Sequence, residues 1–548
     1  MTATPSALRP IVEVARDLDV SPEYLEPYGR DKAKVHLDAL NSGRKPGKLI
    51  LVSAITPTPA GEGKTTTSIG LAQGMRRIGE RVALALRQPS MGPVFGRKGG
   101  ATGGGLSKVE PSDTINLQFT GDFHAITAAN NLLAAAIDNR LYFRDFDVDP
   151  TRILWKRALD VNDRALRRIV IGLGGRSQGI PRESGFDITA ASEIMAVLCL
   201  SESLGDLRER LDRILVGYSN DGAPVTARAF GMTGSMTAIL KDALLPNLVQ
   251  TTESVPAFVH GGPFANIAHG CNSVLATRMA MATADYVLTE AGFAFDLGGE
   301  KFLDLKCRSA GLNPSAIVMV ATIRALKMHG GVPLSEIARP DAKAVERGLC
   351  NLAAHLDAAA YFEKPMVVAI NQFADDTPEE IAVVARFCEA RGLPCSAADV
   401  FGKGGAGAVD LAEKVVVAAS RPETPHKPLY PLDWPAEKKI ERIVKAVYGG
   451  AGVNIQRDAT QKLKKAAEHG YGELPVCMAK TADSISDDPK LRGRPTGFTV
   501  NVRDVEIAAG AGFLVILTGE LRRMPGLPRR PAGERIDVNE DGDIVNLF

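Results

Sequence analysis

The residues whose types and spacing specify chemistry most directly are Gly61-x-Gly63-Lys64-Thr65. Glycines let a backbone curl until several N–H groups face one anion. A lysine next to them reaches the terminal phosphates of a nucleotide, and the following hydroxyl is a ligand for Mg2+. Thr58, Pro59, Ala60, Gly61, Glu62, Gly63, Lys64, Thr65 and Thr66 therefore form a candidate nucleotide-binding loop, with Lys64 as a catalytic cation and Thr65 as the metal ligand. Thr58 stands where the strict G-x-x-x-x-G-K-[ST] pattern has its first glycine. The plainer alternative is a Gly-rich turn before an ordinary helix.

Further residues suited to anions follow. Arg87 ends the run Arg81-Val82-Ala83-Leu84-Ala85-Leu86, which reads as a buried strand. A charge at the carboxyl end of a parallel strand lies where ligands sit in open α/β sheets, so Arg87 is either an anion ligand or a surface cap. Five of the seven positions 99–105 are glycine, Gly99 and Gly100 among them, with Arg97 and Lys98 alongside. That composition excludes helix and regular strand. It leaves a linker or a second anion-embracing loop. His260 and His269 lie in a Gly/Asn-rich stretch, 259–273, too far apart for a one-turn metal pair; they read as substrate ligands or structural ties. Glu290, Asp296, Glu300 and Asp304 could hold Mg2+ or position a substrate amine, or be solvated acids.

The elements that must position these residues are legible in outline. An apolar run at 49–55 leads into the phosphate loop and a helical pattern leaves it, giving strand, loop, helix. Further runs at 284–290, 315–322, 364–371 and 512–518 alternate with helical patterns. The expected fold is α/β: a P-loop NTPase-like parallel sheet with helices on both faces, plus further α/β domains. The expected organisation is a nucleotide-binding domain from 1–112 and 246–350, an inserted, largely helical subdomain at 113–245, and a C-terminal α/β domain at 351–548. Within the insertion, 161–168 and 193–215 have helix periodicity and 169–173 is a strand candidate. Residues 1–47 read as helical and polar, with Tyr24, Tyr28, Lys32 and Lys34 on a lid or surface. Asp537-Val538-Asn539-Glu540-Asp541-Gly542 mimics the start of a calcium loop, but Phe548 replaces its closing glutamate, so a tight turn in a hairpin is expected.

Composition bounds the function class. At 548 residues, two or three domains are expected. The formal net charge of +1 argues for no nucleic-acid or membrane partner. No apolar run reaches spanning length, and 1–5 lack a secretion signal. Seven scattered cysteines without a C-x-x-C read as reduced thiols of a cytoplasmic protein.

The stretches at 56–74, 86–105, 260–273, 289–308 and 320–331 together resemble formate–tetrahydrofolate ligase, and the resemblance runs from near residue 20 to Leu547-Phe548. It implies ATP-dependent joining of formate to tetrahydrofolate through formyl phosphate, giving 10-formyltetrahydrofolate, ADP and phosphate. It implies Mg2+, a monovalent cation such as K+, and a homotetramer. Lys64 and Thr65 would then hold phosphates and Mg2+, and Arg87 the formyl phosphate. Phe373, in an Asn371-Gln372-Phe373 block, inherits a place against the folate ring, and Phe401 stands where the family usually has tryptophan on its other face. Gln88 replaces a usual glutamate, and Arg97, Ala101-Thr102 and Leu106 also depart from the pattern near the proposed pocket. His260, His269 and Asp122 are candidates for accepting the proton lost in formyl transfer. Two other functions fit the phosphate loop: an ATP-driven switch protein, and a ligase activating a different carboxylate.

Overall fold

The computed structural model describes residues 8–59, 61–98, 100–519 and 521–547. Its main sheet has 12 strands: β1 (Leu25–Pro27), β2 (Ala33–Val35), β3 (Lys48–Ala54), β4 (Val82–Leu86), β5 (Gly103–Gly104), β6 (Ser107–Glu110), β7 (Asn247–Thr251), β8 (Pro256–Val259), β9 (Tyr286–Glu290), β10 (Pro314–Ala321), β11 (Met366–Asn371) and β12 (Cys395–Ala398). The spatial order is β1-β2-β7-β8-β4-β9-β3-β10-β11-β12, with β6 on β7 and β5 on β6. Along that order every pairing from β8 to β12 is parallel, and the others are antiparallel.

Burial on both faces explains why the parallel strands read as unbroken apolar runs. In β3, Ile50, Val52 and Ala54 face one core, shared with helix α1 (Lys64–Arg77) and the helix Val409–Ala419. Leu49 and Leu51 face the other, shared with Val274–Thr283 and Ala342–Ala360. A second, four-stranded sheet holds β13 (Gly452–Ile455), β14 (Val476–Ala479), β15 (Thr499–Ala508) and β16 (Phe513–Thr518) in the order β13-β15-β16-β14. Just past β14, Lys480 is buried and meets buried Asp296 at 2.6 Å. All the cysteines are free; Cys199, Cys271, Cys307, Cys388 and Cys477 are buried.

Several expectations need correction. The N-terminal stretch supplies β1 and β2, and Lys34 is buried against Asp122 at 2.7 Å rather than set on a surface. A lysine adopts this position because its charge meets a carboxylate and the Asn247 side chain, 3.0 Å away. Residues 161–168 hold only the short turn Arg164–Arg167. The 193–215 pattern is two helices, Glu193–Leu200 and Leu204–Arg213, because Ser203 caps the second. The strand Ile169–Ile171 pairs only with Arg182–Ser184, outside the main sheet. Strands β11 and β12 lie beyond residue 350 yet extend the main sheet; hydrogen-bonded pairing is invisible to a boundary drawn from composition. The 113–245 stretch leaves and returns through paired neighbours, Glu110 opposite Gln250. Residues 537–545 form a hairpin, with Asp537–Val538 against Ile544–Val545.

Candidate active site

The carboxyl ends of β3, β4, β9, β10, β11 and β12 lie along one edge, because those strands are parallel neighbours. The loops leaving them form the candidate site. The phosphate loop is tied down before it starts. The Thr56 amide donates to Asn351 Oδ1 (3.2 Å), and its carbonyl accepts from His329 Nε2 (2.9 Å). The Gly493 amide donates to His329 Nδ1 (3.2 Å), which fixes a neutral imidazole with its proton on Nε2. Burial agrees, pushing His329 down to about 4.

Gly61 (φ 85°) and Gly63 (φ 65°) then take left-handed conformations that only glycine adopts readily. Gly63 also has no room for a side chain, since a Cβ would fall 2.4 Å from Asn371 Nδ2. Glu62 points inward. Its Oε1 accepts from the Thr58 amide (2.7 Å), its Oε2 from the Thr322 hydroxyl, and its carbonyl from Asn371 Nδ2 (3.1 Å). Burial pushes Glu62 up to about 7, against the opposing pull of these hydrogen bonds and of Lys64. Thr322 also caps the helix Ile323–His329 through the Ala325 amide (3.0 Å). The loop is thus gripped from the ends of β10 and β11.

Lys64 opens α1, whose N-terminal N–H groups favour an anion. One residue on, the Thr65 hydroxyl donates to Glu290 Oε2 (2.8 Å) at the end of β9. Glu290 Oε1 lies 3.9 Å from Arg87 Nη2. Thr65, Glu290 and Arg87 therefore form one line across three strand ends: a hydroxyl, a carboxylate and a guanidinium. The hydroxyl and carboxylate are hard oxygen ligands of the kind Mg2+ takes. Arg87 Nη1 donates to Pro263 O (3.3 Å), while its buried Nε has no protein partner. The neighbouring Gln88 is buried, with Oε1 equally unpartnered and its amide on Gly261 O (2.7 Å). The loop residues 260–263 press against this strand end, since a Cβ on Gly262 would meet Gln88 O at 2.2 Å.

The two histidines of that loop differ. His260 is buried with Nδ1 on Ser273 Oγ and Nε2 on Ala243 O, both at 2.7 Å. It is a tie between loops, which corrects its reading as a substrate ligand: both nitrogens already serve protein atoms. Asp122 is likewise committed, to Lys34 and Asn247. His269 is buried with neither nitrogen partnered, and burial beside Lys306, Lys301 and Arg87 pushes it down to about 3. It is a neutral imidazole in positive surroundings.

The glycine-rich block is built against specific partners, which removes the linker alternative, and its Gly103–Gly104 pair with Lys108 and Ser107 as strand β5, which corrects the reading that excluded strand there. The Gly100 amide donates to Leu547 O (2.8 Å), the Ala101 amide to Asn116 Oδ1 (2.7 Å), and the Leu106 amide to Phe401 O (3.0 Å). A Cβ on Gly105 would fall 2.2 Å from Phe401 O. Phe401 is 60% exposed. It follows β12, and Phe373 follows the adjacent β11, so both aromatics belong to one edge. The Arg324 guanidinium lies 4.2 Å over the Phe373 ring. Asp296, Glu300 and Asp304 are buried rather than solvated. Asp296 pairs with Lys480, and Asp304 with Arg308 at 3.4 Å, which ties them to the core. Ala60 and Gly99 lie outside the described residues. Thr322 was missed in the sequence; its signal was a hydroxyl directly after a buried strand and before a helix.

Fold and site together describe an α/β protein with a phosphate-loop motif at the carboxyl edge of a parallel-rich sheet. A family model described as formate–tetrahydrofolate ligase matches residues 2–548. A curated protein of Symbiobacterium thermophilum with that name is 55% identical over 545 residues, covering 99% of this chain and 98% of its own. The chain belongs to the formate–tetrahydrofolate ligase family.

Proposed function

We propose that this chain joins formate to tetrahydrofolate at the expense of ATP, giving 10-formyltetrahydrofolate, ADP and phosphate. The observation that carries the proposal is the line Thr65–Glu290–Arg87 at the sheet edge of a chain of this family. In the first step a formate oxygen attacks the γ-phosphorus, and the bond from that phosphorus to the ADP oxygen breaks. Formate is already an anion, so the step needs charge neutralisation rather than a strong base. Lys64 and the α1 N-terminus face the phosphates, and Arg87 faces the formyl phosphate that forms. Thr65 and Glu290 would hold Mg2+, which supplies further neutralisation when bound. In the second step N10 of the folate attacks the formyl carbon, the bond from that carbon to the phosphate oxygen breaks, and the proton lost from N10 leaves with the phosphate as hydrogen phosphate. Phe373 and Phe401 would orient the folate ring. A P-loop NTPase-like core is part of the same reading, supported by the strand, loop and helix around Lys64. A homotetramer and activation by K+ accompany it, tested by light scattering and by K+ titration of turnover.

The test is ADP formation from MgATP and formate, with and without tetrahydrofolate, in wild type and Lys64→Ala. Turnover requiring both substrates, falling about 10²- to 10³-fold in the variant, supports the proposal. ADP release indifferent to formate and folate overturns it in favour of a switch ATPase. Turnover with another acid alone would reassign the carboxylate, with Gln88 the first residue to revert.

A further inference from the structure

The segment 532–547 lies far in sequence from every residue assigned above, yet it seats on the glycine-rich block. Leu547 is 2% exposed, and its carbonyl accepts the Gly100 amide at 2.8 Å. The turn Ala532–Glu534 packs on the helical turn Val94–Lys98, where a Cβ on Gly533 would come within 3.3 Å of Phe95 Cδ1. Between these two anchors, the hairpin Asp537–Val538 with Ile544–Val545 is closed by Asn546, whose Nδ2 donates to Arg535 O at 3.0 Å. The block it holds runs from the Arg87 strand end to Phe401. At its far end, Gly103 meets α1, since a Cβ there would lie 2.7 Å from Ile69 Cδ1. A run so rich in glycine has the largest conformational entropy to lose, and it presents a defined surface only when its backbone groups are engaged. Asn116, Phe401 and Leu547 supply those engagements.

From this geometry we infer that segment 532–547 is a positioning element of the carboxylate subsite: by docking Leu547 on Gly100 it holds the glycine-rich block in a single conformation. Its catalytic consequence rests on the function proposed above; the docking does not. Two variants test it. Leu547→Asp places a charge in a buried apolar position. Asn546→Val removes the bond to Arg535 and puts a β-branched residue at φ 60°, on an exposed hairpin away from the core. Amide exchange across 94–106 in the ligand-free protein reads docking directly. Faster exchange there, with the rest of the main sheet unchanged, is expected in both variants. Unchanged exchange overturns the inference whatever the enzyme does. In steady-state kinetics, formate KM rises about tenfold or more while ATP KM stays within about twofold, and Leu547→Met restores wild-type values. Equal losses for both substrates, with a lowered Tm in both variants, would show a merely structural role and overturn it. A wild type that makes no product would overturn the function instead, leaving the exchange result to judge the docking.

Discussion

Glu62 holds the phosphate loop from within, and its buried carboxyl carries a stability signature. Its folded pKa is raised to about 7 from 4.5. Between those values the folded protein binds more protons than the unfolded chain, so this group's contribution falls as pH rises, and the penalty is complete above about pH 7. Glu62→Gln removes the titration. The variant should gain on wild type across pH 4.5–7 by on the order of 3 kcal/mol, read as the pH dependence of denaturant midpoints. Parallel pH profiles would contradict this account. Glu290 is the second residue-scale case. Glu290→Gln keeps an acceptor for Thr65 but loses the charge between Thr65 and Arg87, so the Mg2+ concentration for half-maximal ADP formation should rise about 10- to 100-fold. The placement of Lys64, Thr65 and Arg87 beyond strand ends was legible from sequence because it follows from the local order of strand, loop and helix. The partnership of Thr65 with Glu290 spans 225 positions and was not. For His260 the sequence left substrate ligand and structural tie both open, because a histidine's neighbours depend on how loops meet.

At the scale of elements, the site depends on strand ends that share one edge. Thr322 serves two of them, capping one helix and bonding Glu62. Thr322→Val should cost about 1 to 2 kcal/mol by loss of the cap, measured by urea unfolding, and should raise ATP KM through the loosened loop. Gly63→Ala places a Cβ 2.4 Å from Asn371 Nδ2 at a positive φ. Nucleotide binding should be lost in equilibrium titration while the far-ultraviolet circular dichroism stays that of wild type. The parallel strands were readable as apolar runs because both faces are covered. Short strands at or next to the sheet's edges, such as β1, β2 and β12, were not, since pairing, rather than composition, makes them strands.

For the whole molecule, the tie between Lys480 and Asp296 joins the second sheet to the main body, and both side chains are at most 3% exposed. Lys480→Met strands a buried carboxylate and should destabilise the protein by about 3–5 kcal/mol in denaturant unfolding. A smaller loss would mean that Asp296 finds another partner. The reading of a separate unit from residue 351 met a similar limit: β11 and β12 lie beyond that boundary yet pair into the main sheet.

Cys271 sits two residues from His269, with its thiol on the His269 carbonyl at 3.2 Å. Burial pushes it up to about 11, so at neutral pH it stays a thiol rather than the reactive thiolate. Alkylation therefore waits on transient opening of the surrounding loop. The labelling rate of this one sulfur becomes a clock for breathing of the active-site wall, fast when the loop is loose and slow when ligands close it.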